Sequence, residues 1–196
     1  MYQLLLDSSN KYLAVGLAKD GKVIDSIFYE AWQRQSEMMV TEADNILKKN
    51  NVDRSSLDAV VVGKGPGSYT GVRIAITIAK TIAFALKIKL YAASSLSLLR
   101  VNDKPTICVF NARSGRSYIG VYENDKVLLE DKVLTNEEVV NYVNEHSEFL
   151  LSGDTEQLNQ TSSEFDIIEN LAKSISKENE VDPFKLSPAY LKDLTK

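Results

Sequence analysis

Cysteine occurs once, at Cys108, so the chain cannot close an internal disulfide, and its place in an apolar run reads as a reduced core residue. Histidine is equally scarce. His146 stands alone, no His-x-x-x-His pair occurs, and a two-histidine metal site is excluded. No apolar run approaches the ~20 residues that span a bilayer, so no membrane association is expected. The first residues enter a strand pattern at once, with no basic stretch or cleavage site, which predicts a cytoplasmic protein. Basic residues are outnumbered, 23 Lys and Arg against 27 Asp and Glu, leaving a net charge of −4. That balance argues against a nucleic-acid interface built by this chain alone, because such sites carry a basic face. Glycine is sparse too, nine in 196 residues, yet four crowd between Gly63 and Gly71.

What is present reads as one α/β unit used twice. Alternating apolar residues predict strands over 2–6, 12–18 and 23–29, with a polar turn at Asp7-Ser8-Ser9-Asn10 and a hairpin turn at 19–22. A helix is predicted over 33–49, from Met39, Ala43, Ile46 and Leu47 at helical spacing. Strand 59–62, the glycine loop, helix 70–86 and strand 88–91 follow. The second half repeats the order: strands 106–110, 117–123 and 127–130, a helix opened by the Thr135-x-x-Glu138 capping box, strand 149–151 and a helix near 164–176. Two such strand–strand–strand–helix–strand–helix lobes make an α/β fold of the actin/Hsp70 (ASKHA) class, with the second lobe reduced. The expected division is 1–100 and 101–196, the terminal segment being free to pack back on the first lobe.

The loop Gly63-Lys64-Gly65-Pro66-Gly67-Ser68-Tyr69-Thr70-Gly71 precedes a helix whose positive end would suit a phosphate. A Walker A loop needs Lys and Ser or Thr after its last glycine, and Val72-Arg73 stand there instead. A Rossmann fingerprint needs a third glycine where Thr70 sits and an acidic residue ~20 positions on, and none occurs between Gly71 and Asp103. A tight strand-to-helix turn capped by Ser68 or Thr70 also accounts for the pattern. In the helix that follows, Arg73, Thr77, Lys80 and Thr81 form one narrow polar stripe, which leaves two apolar flanks to hide. Ala75, Ala79 and Ala83 allow close packing by another helix, and Met38-Met39 lie on the helix before it. This surplus suggests a subunit interface. Within the fold class, Asp7, Ser8 and Ser9 occupy the place of a phosphate loop, and Asn111-Ala112-Arg113 the corresponding place in the second lobe. An independent small ATPase or phosphotransferase using Asp7 is therefore the alternative reading.

The run Gly65-Pro66-Gly67-Ser68-Tyr69-Thr70-Gly71-Val72-Arg73-Ile74 with Ala79-Lys80 resembles the signature of the TsaB (YeaZ) family. Leu6-Asp7-Ser8-Ser9, Ser94-Ser95-Leu96, the segment from Asn111 to Tyr118, and Pro188-Ala189-Tyr190-Leu191 extend the resemblance from end to end. Asn111 and Arg116 stand where the family has Asp and Glu, Ala75 where Gly is common, and Gln35 where His is frequent. The resemblance implies a non-catalytic subunit of the machinery that makes threonylcarbamoyladenosine in tRNA. Such a subunit binds and activates a TsaD-like catalytic partner, with a TsaE-like ATPase joining the pair and tRNA met only through the complex. No cofactor is implied on this chain, ATP and metal being expected on the partners, and self-association when alone is left open. The implied interface residues are Met38, Met39, Ala43 and Ile46 on the first helix, and Gly71, Ile74, Ala75, Ile78, Ala79 and Ile82 on the second.

Overall fold

Two sheets with the same strand order make up the molecule, a computed structural model that describes residues 1–31 and 34–191. The first half contributes β1 (Tyr2–Asp7), β2 (Tyr12–Lys19), β3 (Lys22–Glu30), α1 (Gln35–Lys49), β4 (Leu57–Gly63), α2 (Tyr69–Leu86) and β5 (Lys89–Ala93). The second contributes β6 (Thr106–Arg113), β7 (Arg116–Glu123), β8 (Lys126–Thr135), α3 (Asn136–Glu145), β9 (Leu150–Gly153), α4 (Ile167–Ala172) and β10 (Glu180–Val181). The sheets run β10-β5-β4-β1-β2-β3 and β8-β7-β6-β9. In each, the first strand pairs antiparallel with the second and parallel with the fourth. The duplication is thus in the hydrogen bonding. The fold is the actin-like α/β class with a reduced second lobe, in which no counterpart of β5 occurs among the described residues.

β4 reads as an unbroken apolar run because both its faces are covered. Val60 and Val62 point into the core beneath α1 and α2, while Ala59 and Val61 join the core that α4 and the second sheet complete. α3 covers the second sheet over Ile107, Val109, Ile119 and Val121. Cys108 is buried between the sheets, and burial pushes its thiol up to about 12.

α2 starts at Ser68, whose hydroxyl accepts the Gly71 N–H, and ends at Lys87 in the left-handed region. By length and composition alone it could cross a membrane. Here its Val72, Ala75, Ile76, Ala79 and Ala83 side chains lie in the core of the first lobe. The predicted start of the first helix, Gln33, lies outside the described residues. The last predicted helix is shorter than 164–176. Asp166 caps its start by accepting the Glu169 N–H, and Ser174 closes its end by donating to the Leu171 and Asn170 carbonyls. β8 runs five residues past the predicted 127–130, following β7 through two register shifts.

Residues beyond α4 return to the first lobe. β10 adds to β5, and Phe184 meets Phe84 edge-on at 5.3 Å. Lys80 Nζ donates to the Leu186 carbonyl at 2.9 Å, and Ala189 N–H donates to Lys64 O at 2.8 Å. Tyr190 stacks on Tyr69 at 5.4 Å with the Arg73 guanidinium over both rings.

Candidate functional site

The glycine loop is seated on the β1–β2 turn. Added Cβ atoms at Gly67 and Gly71 would overlap the Ser9 and Ser8 carbonyl oxygens, and one at Gly63 would overlap the Asp7 carboxyl. Gly65 holds a φ of +94° beside the Ala189 backbone, and its N–H donates to Ser95 Oγ. Ser68 N–H donates to Ser9 O at 2.6 Å, and Ser8 Oγ donates to Gly71 O at 2.8 Å. The loop therefore meets carbonyl oxygens of its own chain at the positions where a phosphate loop would offer N–H groups to a ligand.

Asp7 is turned inward. Its Oδ1 accepts the Ser9 N–H at 3.0 Å and the Ser9 hydroxyl at 2.8 Å, while Oδ2 lies beside Gly63 with no well-formed hydrogen bond. Burial raises this carboxyl to about 6, and the bonds to Ser9 with the nearby Ser95 hydroxyl only partly oppose it. Of the predicted phosphate-loop residues, Ser9 faces the space between the lobes, while Asp7 and Ser8 are buried behind it. Ser8 thus ties the β1–β2 turn to the glycine loop through its hydroxyl, while the Asp7 carboxyl bonds within its own turn and packs against Gly63.

Between the lobes lies a cleft of about 760 Å³. Ser9, Asn10 and Lys11 line one wall with residues 67–71 at the start of α2, and Phe110 to Arg113, Tyr118 and Asp154 line the other. Asn111 accepts the Arg113 N–H in a local turn and gives its own N–H to Asp154 Oδ2 at 3.1 Å. Burial raises the Asp154 carboxyl, with Lys11 pulling the other way. Buried Gln35 donates to the Asn10 carbonyl at 3.3 Å. Sequence reasoning missed Lys11, Tyr118 and Asp154. The duplicated strand order could have found Asp154, because it follows β9 as Lys64 follows β4. His146 caps the end of α3, stacked against Tyr142 and close to Phe149.

The predicted interface residues divide into two groups. Met39, Ala43, Ile46, Ala75 and Ala79 are buried in the first lobe's own core, and Gly71 is packed against the β1–β2 turn at the edge of the cleft. The apolar flank that carries the small residues is the one that packs at home, because only small side chains let α2 approach its neighbours closely. Met38, Ile74, Ile78 and Ile82 remain half-buried at the surface, and Val40 is exposed. The three isoleucines are spaced by four, which sets them in one row along α2.

The model describing TsaD, tRNA N6-adenosine threonylcarbamoyltransferase, matches residues 29–183. The TsaB protein of Bacillus subtilis, a tRNA threonylcarbamoyladenosine biosynthesis protein, is 37% identical over 134 residues, covering 66% of this chain and 58% of its own length. An uncharacterized protein of Mycoplasma genitalium, MG208, is 28% identical over 199 residues, 98% of this chain and 95% of its own. YeaZ from Pseudomonas aeruginosa superposes with a TM-score of 0.81 at 24% identity, over 97% of this chain and 99% of that one. The chain belongs to the family that this TsaD model describes, among its TsaB/YeaZ members.

Proposed function

We propose that this chain is the non-catalytic partner subunit in threonylcarbamoyladenosine synthesis on tRNA, and that it docks on a TsaD-like catalytic subunit through the outer face of α1 and α2. The observation that carries this reading is the row Ile74, Ile78 and Ile82, left half-buried on a helix whose opposite side is fully packed. Such a row is unusual on a finished surface and suits a helix-on-helix contact. A TsaE-like ATPase then joins the pair, tRNA is met only through the assembly, and ATP and metal sit on the partners. The cytoplasm is the matching compartment. Without its partner, the chain has the same face available for self-association.

Pairing with the TsaD-like protein of the same organism tests this. Ile78→Asp is expected to weaken co-purification about a hundredfold, as expected for a charge set into an apolar contact, while the melting temperature stays near that of the parent chain. Undiminished pairing of Ile78→Asp would overturn the assignment. Ala79→Glu is expected to unfold the chain itself, because Ala79 has no exposed surface and a lone buried carboxylate has no partner there. A circular-dichroism melt separates the two variants.

The cleft supports the other reading, a small actin-like ATPase, less well. Its first loop is committed to the chain's own carbonyls and hydroxyls, and Asp7 does not reach the opening. Calorimetry with Mg-nucleotide decides: saturable binding by the isolated chain, lost in Asp7→Ala, would favour the ATPase.

A further inference from the structure

A second cavity, of about 440 Å³, opens where three segments meet: Arg100, Asn102 and Asp103 in the crossover between lobes, Asn124 and Asp125 in the β7–β8 turn, and Lys173 at the end of α4. Arg100 is the unusual member. Its side chain is only 4% exposed, yet among the described residues only one of its donors makes a close bond, Nη1 to the Ser97 carbonyl at 2.8 Å. Nη2 stands 3.6 Å from Asp125, whose own side chain is 89% exposed, and Nε finds no acceptor among the described residues. Burial works against the charged form of this guanidinium, and Asp125 only partly offsets it. A buried guanidinium stays protonated, so it calls for a closer counter-charge than a solvated carboxylate at that distance.

The rest of the lining supplies donors. Lys173 forms no ion pair among the described residues. The Asn124 side-chain Oδ1 accepts the Asp103 N–H at 3.0 Å, which fixes the amide and leaves its NH2 without a hydrogen bond among the described residues. Near the end of α4 the Glu169, Asn170 and Leu171 carbonyls accept the Lys173 N–H, the Ser174 hydroxyl and the Ser174 N–H. Asp103 and Asp125 are the opposing charges, and both are exposed.

We infer that this cavity binds a small tetrahedral oxyanion of the phosphate class between Arg100 and Lys173, with the Asn124 amide as a further donor and Asp125 as a counter-ion that the anion displaces. Nothing in this inference depends on the partner role of α1 and α2. The site also joins the lobe crossover, the β7–β8 turn and α4, so occupancy would tie the second lobe to the helix beneath the first sheet.

Titration of the 15N-labelled chain with inorganic phosphate at constant ionic strength, with chloride as control, is the test. Saturable shifts confined to residues 100–103, 124–125 and 173, including the Asn124 side-chain amide, are expected. Lys173→Gln should weaken binding about tenfold, and Asp125→Asn should tighten it about tenfold by removing the competing carboxylate. Both substitutions are at exposed positions, so the result does not depend on folding of an Arg100 variant. No saturation, equal shifts with chloride, or an affinity that neither substitution changes would overturn the inference.

Discussion

Gly71→Ala is expected to cost the chain about 4 kcal/mol, near the upper end for a single substitution, and to lower the melting temperature by about 10 °C. The reason is local. Gly71 opens α2 against the β1–β2 turn, and an added Cβ would overlap the Ser8 carbonyl oxygen, a backbone atom that cannot swing away. Relief needs α2 to lift, which strains the Ser8 hydroxyl bond to Gly71 O and the Ser68 N–H bond to Ser9 O. Gly115→Ala is the matched control. Gly115 sits at a φ of +69° in the β6–β7 turn with open space around it, so alanine there carries only the backbone penalty of ~1 kcal/mol. Thermal unfolding of both variants reads the difference. If Gly71→Ala melted no lower than Gly115→Ala, the loop would not be seated as described.

This contrast also marks where sequence reasoning stops. The strand before the glycine loop and the helix after it are legible, because strand alternation and helical spacing are local properties of the chain. What the glycines face is not legible, since Ser8 and Ser9 lie some sixty residues away in sequence and are brought in only by the β1–β4 pairing. The apolar helix poses the same problem. Periodicity shows two apolar flanks on α2 but not which one faces home, and the alanine row at 75, 79 and 83 proves to be the inner one. Residues 180–190 carry almost no periodic signal. They hold to the first lobe through a two-residue strand, the Glu180–Lys89 ion pair, the buried Leu186, two backbone acceptors and two ring pairs. The order of elements in each lobe is readable because each half keeps its own turns, while the cleft contributions of Lys11 and Asp154 arise only once the two halves face each other.

Asp7→Asn is expected to stabilise the chain above pH 6, by up to about 3 kcal/mol, with the gain fading as the pH falls. Asp7 rises from an ordinary 3.8 to about 6 in the folded chain, first because burial disfavours its charge. The folded state thus holds the proton more tightly than the unfolded state. The stabilisation from that proton is complete below 3.8 and is lost as the pH rises through 6. At pH 8 the parent chain therefore carries a buried carboxylate whose Oδ2 has no well-formed hydrogen bond, whereas asparagine is neutral at every pH. The amide can keep the Ser9 contacts through its oxygen and turn its NH2 toward Ser95 Oγ, the group next to Gly63. Asp131 and Asp154 are raised by burial as well, so the absolute stability curve mixes several groups. The difference between Asp7→Asn and the parent cancels them. Chemical denaturation from pH 4 to 8 should show that difference growing with pH and levelling off above 6, and a gap of constant size would reject a charged Asp7 behind the glycine loop. If the gain appears while pairing with the TsaD-like subunit is unchanged, Asp7 acts as a brace for the loop and not as a ligand at the contact.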